Sequence, residues 1–162
     1  MDEGGFDENV PMRSVLIVYH SQSGASALLA QACFAAAASV AGVHVCVQRA
    51  WDAGSADLLA ADGLVLVAAE NSGSLSGGIK DFLDRTFYPV GEAGRVMPYA
   101  LLLSAGNDGR GAREQARRIL SGYPLTEAMQ PVICRGEVTA EHRLKAAELG
   151  EAFATGVEMG IF

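Results

Sequence analysis

The stretch Ser14-Val15-Leu16-Ile17-Val18-Tyr19-His20-Ser21-Gln22-Ser23-Gly24-Ala25-Ser26 changes character at His20. Before it, aliphatic and β-branched residues run without a polar break. That is the mark of a strand buried on both faces, and hence of a parallel sheet covered by helices on both sides. After it come three serines around Gly24, and then an alanine-rich segment that reads as a helix from about residue 25 to 40 and stops at Gly42. Strand, hydroxyl-rich loop and helix form one βα unit.

The rest of the chain repeats that unit. Val43–Gln48 reads as a second strand, followed by a short helix near 55–61. Gly63–Ala69 is a third apolar run, and the helix after it places Leu75, Ile79, Phe82, Leu83 and Phe87 on one face. Pro98–Ser104 supplies a fourth strand, and Ala112, Ala116, Ile119 and Leu120 mark the apolar side of the helix that ends at Gly122. A fifth strand is expected over Met129–Cys134. A last helix begins near Thr139, with His142 where a capping box would carry Glu, and turns Leu149, Ala152, Phe153 and Val157 inward. Five βα units predict a doubly wound five-stranded parallel sheet in the order 2-1-3-4-5. Ligands of such sheets bind outside the carboxyl ends of the strands where the order reverses, here between strands 1 and 3.

The chain has 162 residues, half of them hydrophobic and 19% charged, enough for one well-buried domain. Asp2, Glu3, Asp7 and Glu8 stand without a base in residues 1–12, so residues 13–162 hold only −3 of the net −7. Residues 1–12 are read as a loose acidic tail and 13–162 as a single domain. Arg110, Arg113, Arg117 and Arg118 are broken by Glu114 and read as a solvated helix face, so no nucleic-acid partner is expected. No apolar run approaches the roughly 20 residues that cross a bilayer, and no signal peptide opens the chain, which points to the cytoplasm. Cys33, Cys46 and Cys134 each lie in an apolar segment and are read as small buried hydrophobes rather than as a disulfide framework. No metal spacing links them to His20, His44 or His142, and these histidines are read as structural.

Three loops fall at the switch point. Loop 1 is Ser21, Gln22, Ser23, Gly24, Ala25 and Ser26, where backbone N–H groups and the positive helix end converge with three hydroxyls. Gly24 admits an anion without a Cβ in the way, so the loop is read as a phosphate site rather than only a helix cap. Loop 2 is Glu70, Asn71, Ser72, Gly73, Ser74 and Leu75. Loop 3 is Ser104, Ala105, Gly106, Asn107, Asp108 and Gly109, in which Asp108 either caps the next helix or reaches the crevice. Gly73 to Lys80 is no P-loop, since Ile79 follows Gly78. No G-x-G-x-x-G follows strand 1 either, which argues against a classical dinucleotide fold.

The S-x-S-G-x-S pattern after an apolar strand resembles the phosphate loop of flavodoxins. Glu70-Asn-Ser-Gly73-Ser74-Leu75-Ser-Gly77-Gly-Ile79-Lys80, with Asp84, is similar to the E-x-x-G-S-[IL]-x-G-x-[IL]-K segment that lines the flavin in NADPH-dependent FMN reductases. Asn71 and Ser72 stand where those reductases commonly carry Tyr and Asn, and loop 1 lacks their usual Arg. The resemblance, over about residues 14–155, implies a flavodoxin-like fold and FMN held by loops 1, 2 and 3. It also implies NAD(P)H as co-substrate, a small-molecule acceptor such as a quinone or flavin, and a homodimer such as these reductases often form. Flavodoxin carriers usually sandwich the ring between aromatic side chains, and neither 70–78 nor 104–111 contains Phe, Tyr or Trp. An NAD(P)H-dependent reductase is therefore preferred over an electron carrier without a small-molecule substrate, and over a domain that keeps the fold without the flavin. No side chain is expected to be catalytic, since the flavin carries the chemistry.

Overall fold

The first apolar run becomes β1 (Arg13–Tyr19) and pairs in parallel with β2 (Val43–Arg49) on one side and β3 (Gly63–Asn71) on the other. The computed structural model describes residues 11–162, so the expected tail lies, over residues 1–10, outside the described part. β3 pairs in turn with β5 (Met97–Ala105), giving the order β2-β1-β3-β5 with every main pairing parallel. The next place in the sheet is shared by β6 (Leu125–Glu127), beside Met97–Tyr99, and β7 (Val132–Arg135), beside Leu102–Ala105.

This is the expected 2-1-3-4-5 sheet with two corrections. The fifth strand, read as Met129–Cys134, starts earlier and is broken in two: the Ala128 N–H still bonds the Tyr99 carbonyl at 2.9 Å, but Pro131 has no N–H for the ladder and residues 129–131 leave it. The third strand runs on to Asn71, and the chain then doubles back as β4 (Ser74–Leu75), antiparallel to it. Among the described residues, seven strand segments thus replace the five expected.

Helices α1 (Ala25–Ala38) and α5 (Ala140–Met159) cover one face of the sheet. Helices α2 (Ser55–Leu59), α3 (Gly77–Ala93) and α4 (Arg110–Leu120) cover the other. Strand alternation feeds both layers: Val15 and Ile17 pack with Leu29, Cys33 and Phe153, while Leu16 and Val18 pack with Leu58, Ile79 and Phe82. Two stripe residues were misplaced by the helical pattern. Phe87 is exposed while neighbouring Thr86 is buried, bonded to the Phe82 carbonyl and the Tyr123 hydroxyl. Ala152 faces solvent and Ala154 is buried in its stead. At the start of α5 the capping box forms without Glu. His142 Nδ1 accepts the Thr139 N–H, and Thr139 Oγ1 accepts the His142 N–H, both at 3.2 Å.

Candidate functional site

β1, β3 and β5 all deliver their carboxyl ends to one rim of the sheet, and a cleft of about 790 Å³ opens there. Ser23, Gly24 and Ala25 line it from loop 1, Glu70 and Asn71 from loop 2, and Ser104 and Gly106 from loop 3. Three segments separated by more than thirty residues of chain each thus meet, as the position of the strand reversal requires.

Loop 1 is shaped by one glycine. Gly24 has φ +99° and donates its N–H to Ser21 Oγ at 3.1 Å, turning the chain into α1. No side chain caps the helix, and its first backbone bond is Leu28 N–H to the Gly24 carbonyl. The N–H groups of Ala25, Ser26 and Ala27 therefore precede any intrahelical partner, and Ala25 and Ala27 lie on the cleft. Ser23 is exposed beside them. Ser26 departs from expectation: its hydroxyl is buried and bonded to Ser104 Oγ at 3.0 Å, tying α1 to β5. Gln22 is exposed and outside the lining, and Ser21 acts as a brace.

Loop 2 is a tight hairpin. Ser72 (φ +52°) and Gly73 (φ +74°) form the two-residue turn between Asn71 and Ser74, the left-handed pair that matches strand twist. Leu75 belongs to the core rather than the cleft, and its N–H is taken by Gln115 Oε1 at 2.7 Å. Glu70 reaches the start of α4, where Oε2 accepts the Ala112 N–H at 3.2 Å. Gly111 makes that docking possible, since a Cβ there would sit 2.1 Å from the Gly73 carbonyl oxygen. In loop 3 Asn107 is exposed outside the lining, and Asp108 caps: Oδ1 accepts the Arg110 N–H at 3.0 Å. Gly109, with φ +73°, is buried against Ile133.

Sequence reading missed a fourth wall. Gly136 and Glu137, just after β7, complete the lining, and the Gly136 N–H bonds the Ala105 carbonyl at 2.8 Å. The same rule that selected loops 1 to 3 applies to the carboxyl end of the fifth strand and could have found them. The lining carries two carboxylates, Glu70 and Glu137, and no Lys or Arg. Its donors to a ligand are backbone N–H groups, the Ser23 hydroxyl and the Asn71 amide. Cβ atoms added at Gly24 or Gly106 would meet nothing within 4 Å, so both glycines face open volume. Uncapped helix amides, a hydroxyl and glycine-lined space suit a phosphorylated, largely planar ligand.

The sequence model of the NADPH-dependent FMN reductase family matches residues 43–140, more than half of the chain. The chain belongs to that family. The match takes in loops 2 and 3 and the β7 wall, while loop 1 precedes it. No curated protein matches the chain. An archaeal flavodoxin superposes with TM-score 0.74 at 20% identity, covering 90% of this chain and 99% of that one. A flavodoxin, WrbA-like protein from Agrobacterium tumefaciens gives TM-score 0.74 at 16% identity, with 91% and 98% covered. The reduced flavodoxin of Megasphaera elsdenii gives 0.72 at 21% identity, with 87% and 98% covered. These likenesses establish a flavodoxin-like fold for this member of the family.

Proposed function

We propose that the cleft binds FMN and that the chain is an NAD(P)H-dependent oxidoreductase passing hydride to a quinone, flavin or similar small acceptor. The observation that carries this reading is the meeting of the uncapped α1 N-terminus with loops 2 and 3 in one cleft, in a chain of the FMN reductase family.

The first-turn amides of α1 and the Ser23 hydroxyl would receive the phosphate, with the positive end of the helix standing in for the absent cation. Glu70 holds the hairpin against α4, which fixes Asn71 at the rim. Gly106 keeps the loop 3 side free of side-chain bulk. Bound FMN supplies the two-electron chemistry. The protein's part is to bind, orient and leave one approach open, and no aromatic residue among those lining the cleft obstructs a nicotinamide.

Two measurements test the reading. Fluorescence titration should show FMN binding orders of magnitude more tightly than riboflavin, since hydrogen bonds to a charged group contribute roughly 1.5–3 kcal/mol each. Equal affinities would remove the phosphate from loop 1. Anaerobic mixing of the FMN-loaded protein with NADH and with NADPH should bleach the flavin with at least one of them. Failure with both would overturn the reductase reading and leave FMN binding standing.

A further inference from the structure

The expectation that every cysteine packs as a small hydrophobe holds for Cys33 and Cys134, which are buried, and fails for Cys46, which is exposed on the edge strand β2. The buried hydroxyls lead further. Ser26, in the first turn of α1, is 1% exposed and does not line the cleft, whereas Ser104 does. Their oxygens stand 3.0 Å apart, and among the described residues neither hydroxyl has another hydrogen-bond partner.

Two hydroxyls carry two protons, and one contact uses one of them. If Ser104 donated to Ser26, the Ser26 proton would be buried with no acceptor, a cost that folded proteins avoid. If Ser26 donates to Ser104, the proton left over is that of Ser104, which borders open volume where a ligand can accept it. The second arrangement leaves no buried proton unpartnered. It also makes Ser104 the better donor, since a hydroxyl that accepts one hydrogen bond is polarised to give another.

Alternation along β5 turns Ser104 to the same face as Ala100 and Leu102, toward α1. Its oxygen therefore lies against the first turn of α1, the turn whose amides have no intrahelical partner. The cleft lining holds Glu70 and Glu137 but no Lys or Arg, so a phosphate at this turn depends on neutral donors.

We propose, resting on the reading that the cleft binds FMN, that Ser104 is a phosphate-binding residue supplied from β5, and that Ser26 is a positioning residue that acts through it. Ser26 Oγ–H donates to Ser104 Oγ, and Ser104 Oγ–H donates to a phosphate oxygen. Both protons stay on their own oxygens. This adds one donor to the cleft beyond the amides, Ser23 and Asn71.

Fluorescence titrations of FMN and of riboflavin on the full chain test the assignment, since a donor to the phosphate affects FMN alone. S104A should lower FMN affinity by about tenfold or more and leave riboflavin within about twofold. S104C, close in size and a weaker donor, should fall between. S26A should cost FMN a few-fold in affinity by itself and nothing further in the S104A background, the non-additivity expected of a residue that acts only through Ser104. Circular dichroism of each variant checks the fold. The same loss from S26A with and without S104A would put Ser26 on the phosphate itself and overturn the proposal. So would S104A and S104C that bind FMN like the unmodified chain, or that weaken both flavins equally. Equal affinity of the unmodified chain for the two flavins would instead remove the phosphate reading itself, and this inference with it.

Discussion

Gly24 and Gly106 both border the cleft and both would place a Cβ in empty space, yet only Gly24 has a backbone that resists a side chain. At φ +99° a β-branched residue is strained by about 1–2 kcal/mol or more, so G24V mixes a stability loss with any binding loss. Gly106 carries no such strain, and G106V should melt within a degree or two of the unmodified protein, an estimate from the near-neutrality of surface changes. Its FMN affinity should fall by at least about tenfold, because the isopropyl group enters the volume assigned to the ligand. Unchanged affinity for G106V in a fluorescence titration would move the cofactor out of this cleft. At this scale the sequence showed residue types and missed directions. Three serines near one glycine were plain to read, but which of them turns inward depends on the rotation of α1. Ser26 finds its partner in Ser104, a residue 78 positions away.

Among the elements, α4 is held from two sides, by Glu70 at its amino end and by Glu127 of β6 along its flank. Arg117 of α4 meets Glu127 with Nε and Nη2 on its two carboxylate oxygens, at 2.8 and 2.7 Å. Hydrogen bonding from Arg117 holds the Glu127 carboxyl below the usual carboxylate range, outweighing its partial burial. A lowered folded pKa stabilises the native state above the unfolded value and loses that contribution as pH falls through the folded one. Urea denaturation should therefore find R117M less stable by up to about 1 kcal/mol at neutral pH, with the gap closing in acid below about pH 4. A gap that stayed constant with pH would assign the effect to lost packing of the arginine stem. The main strands and the helices were legible, from apolar or alternating runs and from helical stripes, whereas the short β4 and β6 were not. Nor were the breaks. Pro131 interrupts the last strand, Ser72-Gly73 adds a hairpin, and His142 replaces Glu in a capping box, each a local choice that periodicity does not encode.

Taken as a whole, the protein depends on close approach between its layers. Gly150 of α5 lies so near α1 that a Cβ there would stand 2.3 Å from the Cys33 carbonyl oxygen, and Gly63 leaves room for Phe153 in the same way. G150A should lower stability by about 1–3 kcal/mol through overpacking, seen as a fall in melting temperature with FMN affinity retained once folded. An unchanged melting temperature would mean that α5 shifts freely, contrary to tight packing. The doubly wound order, a cleft at the switch point and the two-layer covering were all readable, because parallel crossovers leave few alternatives. The fourth cleft wall at Gly136 and Glu137 was less legible, because that segment carries none of the hydroxyls that mark loops 1 to 3 beside its glycine. The split of the last strand into β6 and β7 also bears on how copies of this chain behave when crowded. An edge of three and four residues with Pro131 between them offers a poor template for an added strand, whereas β2 presents seven residues in a row. Among the described residues, strand addition is thus favoured on one side of the sheet, and a lysine at the exposed Val47 would be the place to block it.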